Sequence, residues 1–327
     1  MLLIKSESTS PFFNFATEEY FLKNFKEEFF LTSFYDDSIS VGINQNTLTE
    51  INAMYVKQNS IKVTRRNSGG GTVFHDKGCI NYSFIMKDDG SSIDDFHKYC
   101  EPILGFLKDR FSLNAQFQSK NDISLDGKKI SRMSKFRHNG KFVQHGSLTF
   151  SSNLTNFANA IKTVSENPET NGHSIEDLPV ANICKSIAED ITPAKFMEML
   201  FSYIKAHYTS AIPYELTKED YENIYRIAEE KYATWEWNYG KSPDYDYKKV
   251  INCPCGVIEV FLKVEQGIIK DVKIYGDFFS EYDISELEDM IKGNRHRCDE
   301  LLDTLNNIDI SKYFGDITNK FFVENLF

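Results

Sequence analysis

The segment RRNSGGGTVFHD, residues 65–76, constrains this chain more than any other. IKVTR (61–65) leads into it and INYSFIM (80–86) leaves it, and both read as strands from their β-branched and aromatic residues. The three glycines therefore join two strands. A phosphate-binding Walker loop needs G-x-x-x-x-G-K-[ST] opening a helix, and a dinucleotide fingerprint needs G-x-G-x-x-G in a similar place, so both are excluded. A plain hairpin turn needs only one or two glycines. Three in a row beside Arg65, Arg66 and the pair His75-Asp76 suit a ligand whose phosphate or carboxylate approaches the main chain closely.

The formal net charge of -11 argues against a broad basic face for nucleic acid, so any anion has to be met locally. At 327 residues, 41% of them hydrophobic, the chain is long enough for a large domain with its own core plus a smaller one. Glu7 stands where a signal peptide would be apolar, and no apolar run reaches the ~20 residues of a membrane span. The expectation is a cytoplasmic protein with no membrane or nucleic-acid partner. Six cysteines show no Cys-x-x-Cys pair and no zinc spacing with the seven histidines. They are expected as reduced thiols, with Cys253-Pro254-Cys255 as ordinary packing before a strand.

Asn14 followed by FATEEYFLKNF reads as a capped helix with Glu18 and Glu19 toward its positive end. FFLTSFY and SISVGI read as strands, and DDFHKYCEPILGFLKDRF (94–111) as a helix kinked at Pro102. Asp126-Gly127 and Asn139-Gly140 are hairpin turns, making the later part of the sheet antiparallel. Residues 214–233 read as a helix, and TWEWNYGKSPDYDYKK as a connection containing Gly240 and Pro243. Residues 256–264 and 268–275 then form a hairpin covered by helices at 285–292 and 299–308. The division expected is a catalytic domain at 1–245 and an accessory domain at 246–327.

Four features appear in an informative order: VGINQN (41–46), RRNSGGGTVFHDKGCINYSF (65–84), KNDISLDGKKIS (120–131) and QHGSLTF (144–150). Together with YELTKEDYENIYRIAEEKYATWEWNYGKSP and GIIKDVKIYGDFF they resemble the lipoate-protein ligase A family over nearly the whole chain. The resemblance implies an α/β fold of the α+β type. A mixed, largely antiparallel sheet with packed helices, as in biotin and lipoate ligases, would carry a small α/β C-terminal domain. It also implies a two-step reaction. Lipoate and ATP give lipoyl adenylate and pyrophosphate, and a lysine on an acceptor then takes the lipoyl group. The acceptor would be a lipoyl domain of a 2-oxoacid dehydrogenase or the glycine cleavage H-protein, the enzyme a monomer, and Mg²⁺ the companion of ATP.

By position in the motifs, Lys129 is the catalytic residue, bridging the lipoyl carbonyl and the α-phosphate. Arg66, Gly71, Thr72, Val73, Phe74, Asn121 and Asp122 meet ATP, with Asp122 a candidate Mg²⁺ ligand. Gly69, Gly70, His75 and His145 join Lys129 around lipoate. Lys129 is expected on an exposed hairpin. The chain departs from the family at Arg132 and Ser134, where glycine and alanine are usual, and at Pro179, where arginine is usual. Two alternatives stay open: an ATP-independent octanoyl or lipoyl transferase using Cys79 as nucleophile, and a non-catalytic lipoate or lipoyl-adenylate binder.

Overall fold

A computed structural model describes residues 1–327 except 46, 91, 94, 119–120, 162–178, 240–246, 266–267, 297 and 327. Lys120, the connection with Gly240 and Pro243, the 245/246 boundary and the turn at 266–267 therefore lie outside the described residues. The strands are β1 (Leu2–Lys5), β2 (Phe29–Ser33), β3 (Ser38–Val41), β4 (Lys62–Arg65), β5 (Val73–His75), β6 (Cys79–Lys87) and β7 (Gln116–Gln118). They continue as β8 (Asp122–Leu125), β9 (Lys128–His138), β10 (Lys141–Thr149), β11 (Ile212–Pro213), β12 (Tyr247–Cys253), β13 (Gly256–Glu265) and β14 (Ile268–Gly276).

The large sheet runs β11-β1-β2-β6-β10-β9-β8-β7. β11, β1 and β2 are parallel, and every later pairing is antiparallel, giving the mixed, largely antiparallel sheet expected. Asp126-Gly127 (φ 50° and 71°) and Asn139-Gly140 (φ 46° and 73°) turn β8 into β9 and β9 into β10, with the positive φ pair that such tight hairpins require. Neighbouring residues point to opposite faces of a strand. Phe84 and Phe142 accordingly join Phe106 and Phe196 under helices His97–Phe111 and Pro193–His207. Ile85 and Val143 instead join Phe21 and Ile224 under α1 (Pro11–Asn24) and helix Lys218–Ile227. Helix His97–Phe111 continues through Pro102.

The start of α1 differs from expectation. Ser10 is the cap, its side chain accepting from Phe13 N, and Pro11 supplies the preset φ of a first helical turn. Asn14 lies inside the helix, buried, accepting from the Ser6 hydroxyl at 2.6 Å and donating to Ser8 O at 2.9 Å. Glu18 and Glu19 consequently leave the first turn and point into the protein, each 5% exposed.

A second sheet, β4-β3-β5, carries the glycine segment, so the glycines join β4 to the added strand β5 rather than directly to β6. β12, β13 and β14 form a third, antiparallel sheet with its own core under helices Ile284–Ile291 and Cys298–Leu305. Here Cys253 and Cys255 are joined in a disulfide, contrary to the reading of both as thiols. The turn between β12 and β13 brings their Cα atoms to 5.2 Å, well within bonding reach.

Candidate active site

β4 delivers two arginines that do different things. Arg65 is 1% exposed and turns away from the glycines. Its Nη1 donates to the carbonyls of Gly42 (2.9 Å), Ile43 (3.1 Å) and Gln45 (2.6 Å), its Nη2 to Thr47 Oγ1 (2.8 Å). It therefore shapes the VGINQN loop instead of answering ligand charge. Arg66 is equally buried and wraps the glycine turn. Nε donates to Ser68 Oγ (3.0 Å), Nη1 to Ser40 O (3.0 Å), and Nη2 to Gly69 O and Gly71 O (both 2.7 Å). Burial pulls Arg66 down to about 9, with Arg132 and Arg65 adding to it, so it stays cationic at neutral pH.

The glycines answer protein contacts. Gly70 has φ +83°, a conformation that disfavours a side chain, and a Cβ on Gly69 would stand 2.5 Å from Phe278 O of the third-sheet unit. Gly71 lies beside Arg132, whose Nη1 is 3.2 Å from where its Cβ would be. Thr72 bonds Gln45 Oε1 and Glu50 Oε2, both at 3.1 Å, and Phe74 packs into a small core with Ile39 and Val63.

Behind the turn lies a cavity of about 30 Å³, room for a water or two, so an acyl chain enters only if side chains move. Phe15, Tyr35 and Val73 give it apolar wall. His75, 6% exposed, contacts Asn81 Oδ1 through Nδ1 (2.7 Å) and Ser40 Oγ through Nε2 (2.8 Å). The Asn81 carbonyl requires the proton on Nδ1, leaving Nε2 to accept from Ser40. Burial pushes His75 to about 3, so the ring is neutral. Among the described residues Asn81 Nδ2, buried in this wall, has no hydrogen-bond partner, which leaves a donor for a ligand. Opposite, His145 Nε2 meets Ser68 Oγ at 2.7 Å and Nδ1 meets Glu18 Oε2 at 2.9 Å, and Glu18 also accepts from Ser83. Glu18–His145–Ser68 has the order of an acyl-transfer triad. Ser68 is 0% exposed and already accepts from Arg66, so the chain fixes the turn instead of presenting a nucleophile.

Lys129 is not the exposed hairpin lysine expected: it is 7% exposed, with Nζ 2.8 Å from Asp122 Oδ2. Arg132 Nε lies 3.1 Å from Asp122 Oδ1. Residues three apart on a regular strand face opposite sides. The register of β8 and β9 slips between Ile123 and Ser124, pairing Ile123 with Ser131 but Ser124 with Lys129. That bulge inserts one residue, puts Lys129 and Arg132 on one face, and lets one carboxylate hold both cations. Asn121 braces the arrangement: Met133 N donates to its carbonyl at 2.8 Å, and its side chain donates to Met133 O. The Lys129 backbone pairs with residues 179–181, donating to Pro179 O and accepting from Ala181 N at 2.9 Å each. Only the carbonyl of Pro179 is used, so a proline is accommodated. Arg132 and Ser134 both line the cavity.

The sequence-picked residues thus gather into the glycine turn, the cavity and the Asp122 cluster, with Arg132 touching all three. Glu18, read only as a helix-end charge, and Ser40, Ser68, Asn81 and Ser83 were not read as site residues. Polar residues at cavity-facing positions of α1, β3 and β6 carry no spacing that distinguishes them from surface positions. Cys79 is 3% exposed, and burial, then Asp76, pushes its thiol up to about 12, the wrong direction for a nucleophile.

The lipoyl protein ligase A/B catalytic domain model matches residues 10–205, and that of the bacterial lipoate protein ligase C-terminus matches residues 242–326. Lipoate-protein ligase LplJ of Bacillus subtilis is 37% identical over 100% of both chains. Lipoate–protein ligase 1 of Staphylococcus aureus is 37% identical over 94% of each. Among solved structures, P. falciparum LipL1 in complex with lipoate superposes with a TM-score of 0.78 at 20% identity, covering 94% of each chain. A lipoate-protein ligase A bound with ATP gives 0.60 at 21% identity, covering 73% of this chain and 98% of that one, and the likeness in both cases is one of fold. Sequence and fold agree that this chain belongs to the lipoate-protein ligase family.

Proposed function

We infer that the protein is an ATP-dependent lipoate-protein ligase. It activates lipoate to lipoyl adenylate with release of pyrophosphate, and passes the lipoyl group to a lysine of a lipoyl-domain acceptor or H-protein. The observation that carries the residue-level reading is the Lys129–Asp122–Arg132 cluster, beside both the glycine turn and the cavity. Joining a carboxylate to ATP brings like charges together, and positioned cations offset that repulsion as charge builds at the α-phosphorus. Lys129 would contact the lipoyl carbonyl and α-phosphate once ATP competes with Asp122 for its ammonium. Arg132 supplies the second cation, and Arg66 keeps the turn in the shape that presents Gly71, Thr72, Val73 and Phe74 backbone to the nucleotide. His75, held neutral by burial, borders the acyl chain with His145, Gly69 and Gly70.

Among the described residues no three metal-ligating side chains cluster. A Mg²⁺ ion in an ATP site is commonly held by phosphate oxygens and one or two carboxylates, a donor set that Asp122 fits as the single protein ligand. It would neutralise phosphate charge there. Because Asp122 is already shared by two cations, it should not take Mg²⁺ before the nucleotide arrives. The third sheet's own core, separate from the three that pack residues before 246, supports a catalytic domain at 1–245 and an accessory domain at 246–327. The net charge of -11 argues against a broad basic face for nucleic acid, no described helix is long and apolar enough to cross a membrane, and a cytoplasmic site of action suits the acceptors. The test is to incubate the chain with lipoate and MgATP, measure pyrophosphate, then add a lipoyl domain and read its mass. No pyrophosphate above background would reject the ligase reading in favour of a binder.

A further inference from the structure

The Cys253–Cys255 bridge spans a single proline at the β12–β13 turn. Loop-closure entropy grows with loop length, so a bridge this short withdraws little freedom from the unfolded chain and adds little as a staple. Its place is more informative. The turn runs on into Gly256 (φ +128°), where a Cβ would stand 2.3 Å from Asp277 Oδ1, and Val257 N donates to that same oxygen at 2.6 Å. Asp277 N returns a bond to Val257 O at 3.3 Å. On one side of Asp277, Gly276 N donates to Asn44 O in the VGINQN loop, and on the other Phe278 O accepts from Gly70 N at 3.4 Å. The path from disulfide to glycine turn is thus a short run of hydrogen bonds through the carboxylate and main chain of Asp277.

We propose that Cys253–Cys255 is a thiol–disulfide switch controlling how firmly segment 276–279 covers the glycine turn. With the bridge formed, the hairpin tip grips Asp277 and keeps Phe278 O on the Gly70 N–H. Reduction lets the two sulfurs part, loosens the tip and uncovers the turn, so that the adjoining Gly71–Phe74 backbone is open to the nucleotide. Oxidation therefore weakens ATP capture. The reductant is a low-molecular-weight dithiol, a class that includes dihydrolipoyl groups. One of its thiolates attacks a bridge sulfur, the protein S–S bond breaks, and a mixed disulfide forms. Its second thiolate then displaces the protein sulfur, leaving two protonated cysteines and a cyclic disulfide, with two electrons and two protons transferred. Cys253 and Cys255 are half-buried and within reach, whereas Cys79 and Cys100 are buried with thiols pushed up to about 12. A bridge in a reducing compartment is transient and regulatory in character. The switch rests on the ligase reading only for where the nucleotide sits.

The test uses the full chain, oxidised or treated with dithiothreitol, and follows amide hydrogen exchange at Gly70 and Gly276 alongside the ATP dependence of pyrophosphate release. Reduction should expose thiols at 253 and 255, speed exchange at both amides at least about fivefold, and lower the ATP concentration for half-maximal release. The Cys253→Ser/Cys255→Ser variant should match the reduced protein under both conditions, and Cys184→Ser/Cys298→Ser should respond like the parent. Exchange unchanged on reduction, or a response that persists in Cys253→Ser/Cys255→Ser, overturns the switch. A chain that releases no pyrophosphate refutes the ligase reading instead, and the exchange measurement still decides the switch.

Discussion

Glu19→Gln should cost the large domain on the order of 3 kcal/mol at neutral pH, far more than a surface ion pair. The Glu19 side chain is 6% exposed and accepts from Lys23 Nζ (2.6 Å), Lys231 Nζ (2.7 Å), the Tyr232 hydroxyl (2.7 Å) and Asn67 Nδ2 (3.1 Å). Burial alone would raise its pKa, but the bonds from Lys23, Lys231 and Tyr232 outweigh it and bring the value from 4.5 to about 2. At about 1.4 kcal/mol per pH unit that difference gives the 3 kcal/mol figure. Burial also lowers the pKa of Lys231, so part of the gain at the carboxylate is offset at its partner and the figure is a ceiling. Because the folded pKa is depressed, the stabilisation is complete above pH 4.5 and drains away as the pH falls toward 2. The assay is urea unfolding followed by tryptophan fluorescence. Both tryptophans, Trp235 and Trp237, sit in the short helix after Tyr232, and Lys231 lies 4.2 Å over the Trp237 ring. The gap between parent and variant should be widest at pH 7 and narrower by about 1.4 kcal/mol at pH 3.5. A gap below about 0.5 kcal/mol at pH 7, or one that does not change with pH, would refute the reasoning.

Lys129→Met should slow pyrophosphate release by at least about 100-fold. As Lys129 is buried, it should also lower stability by about 1–3 kcal/mol, read by urea unfolding; release within a few-fold of the parent removes Lys129 from the chemistry. Arg132→Gly should raise the ATP concentration for half-maximal release about tenfold by deleting the cation beside Gly71, and an unchanged ATP dependence returns Arg132 to a role in folding Asp122. Cys79→Ser should leave acyl transfer to a lipoyl domain intact, because a thiol held near pKa 12 is not a nucleophile at neutral pH; transfer lost with adenylation retained would revive the thiol intermediate.

The hairpins, the antiparallel half of the sheet and the glycine segment between strands were legible because each is encoded locally, by Asp-Gly and Asn-Gly pairs or by runs of β-branched residues. The cap of α1 was misread. Asn14 is a good cap by residue type, but Ser10-Pro11 four residues earlier adds a preset φ, and the depth of Asn14 was invisible to a pattern of types. The positions chosen from the motifs do gather in space, but their arrangement was illegible. Lys129 reads as an exposed hairpin residue under strict alternation, and only the bulge between Lys129 and Ser131 buries it against Asp122. Arg65 and Arg66 are indistinguishable as neighbours in sequence, yet strand alternation sends one to the VGINQN carbonyls and the other to the glycine turn. The Cys253–Cys255 bond escaped because a Cys-Pro-Cys spacing does not say whether a turn brings its ends together.

Arg65 also bears on where a truncated version of this protein could end. Its amide donates to Asn238 Oδ1 at 2.9 Å, its Nε to Trp237 O at 3.1 Å, and its carbonyl accepts from Trp237 Nε1 at 2.8 Å. Cutting the chain at 205, where the catalytic-domain match stops, would strip these partners from the backbone and Nε of an arginine that is 1% exposed, and would remove Lys231 and Tyr232 from Glu19 as well. Each buried polar group left unpaired costs about 1–3 kcal/mol, and several together are comparable to a large part of a domain's whole stability. The smallest piece able to fold by itself therefore extends through Asn238, and a fragment library of this gene should show soluble expression beginning abruptly there.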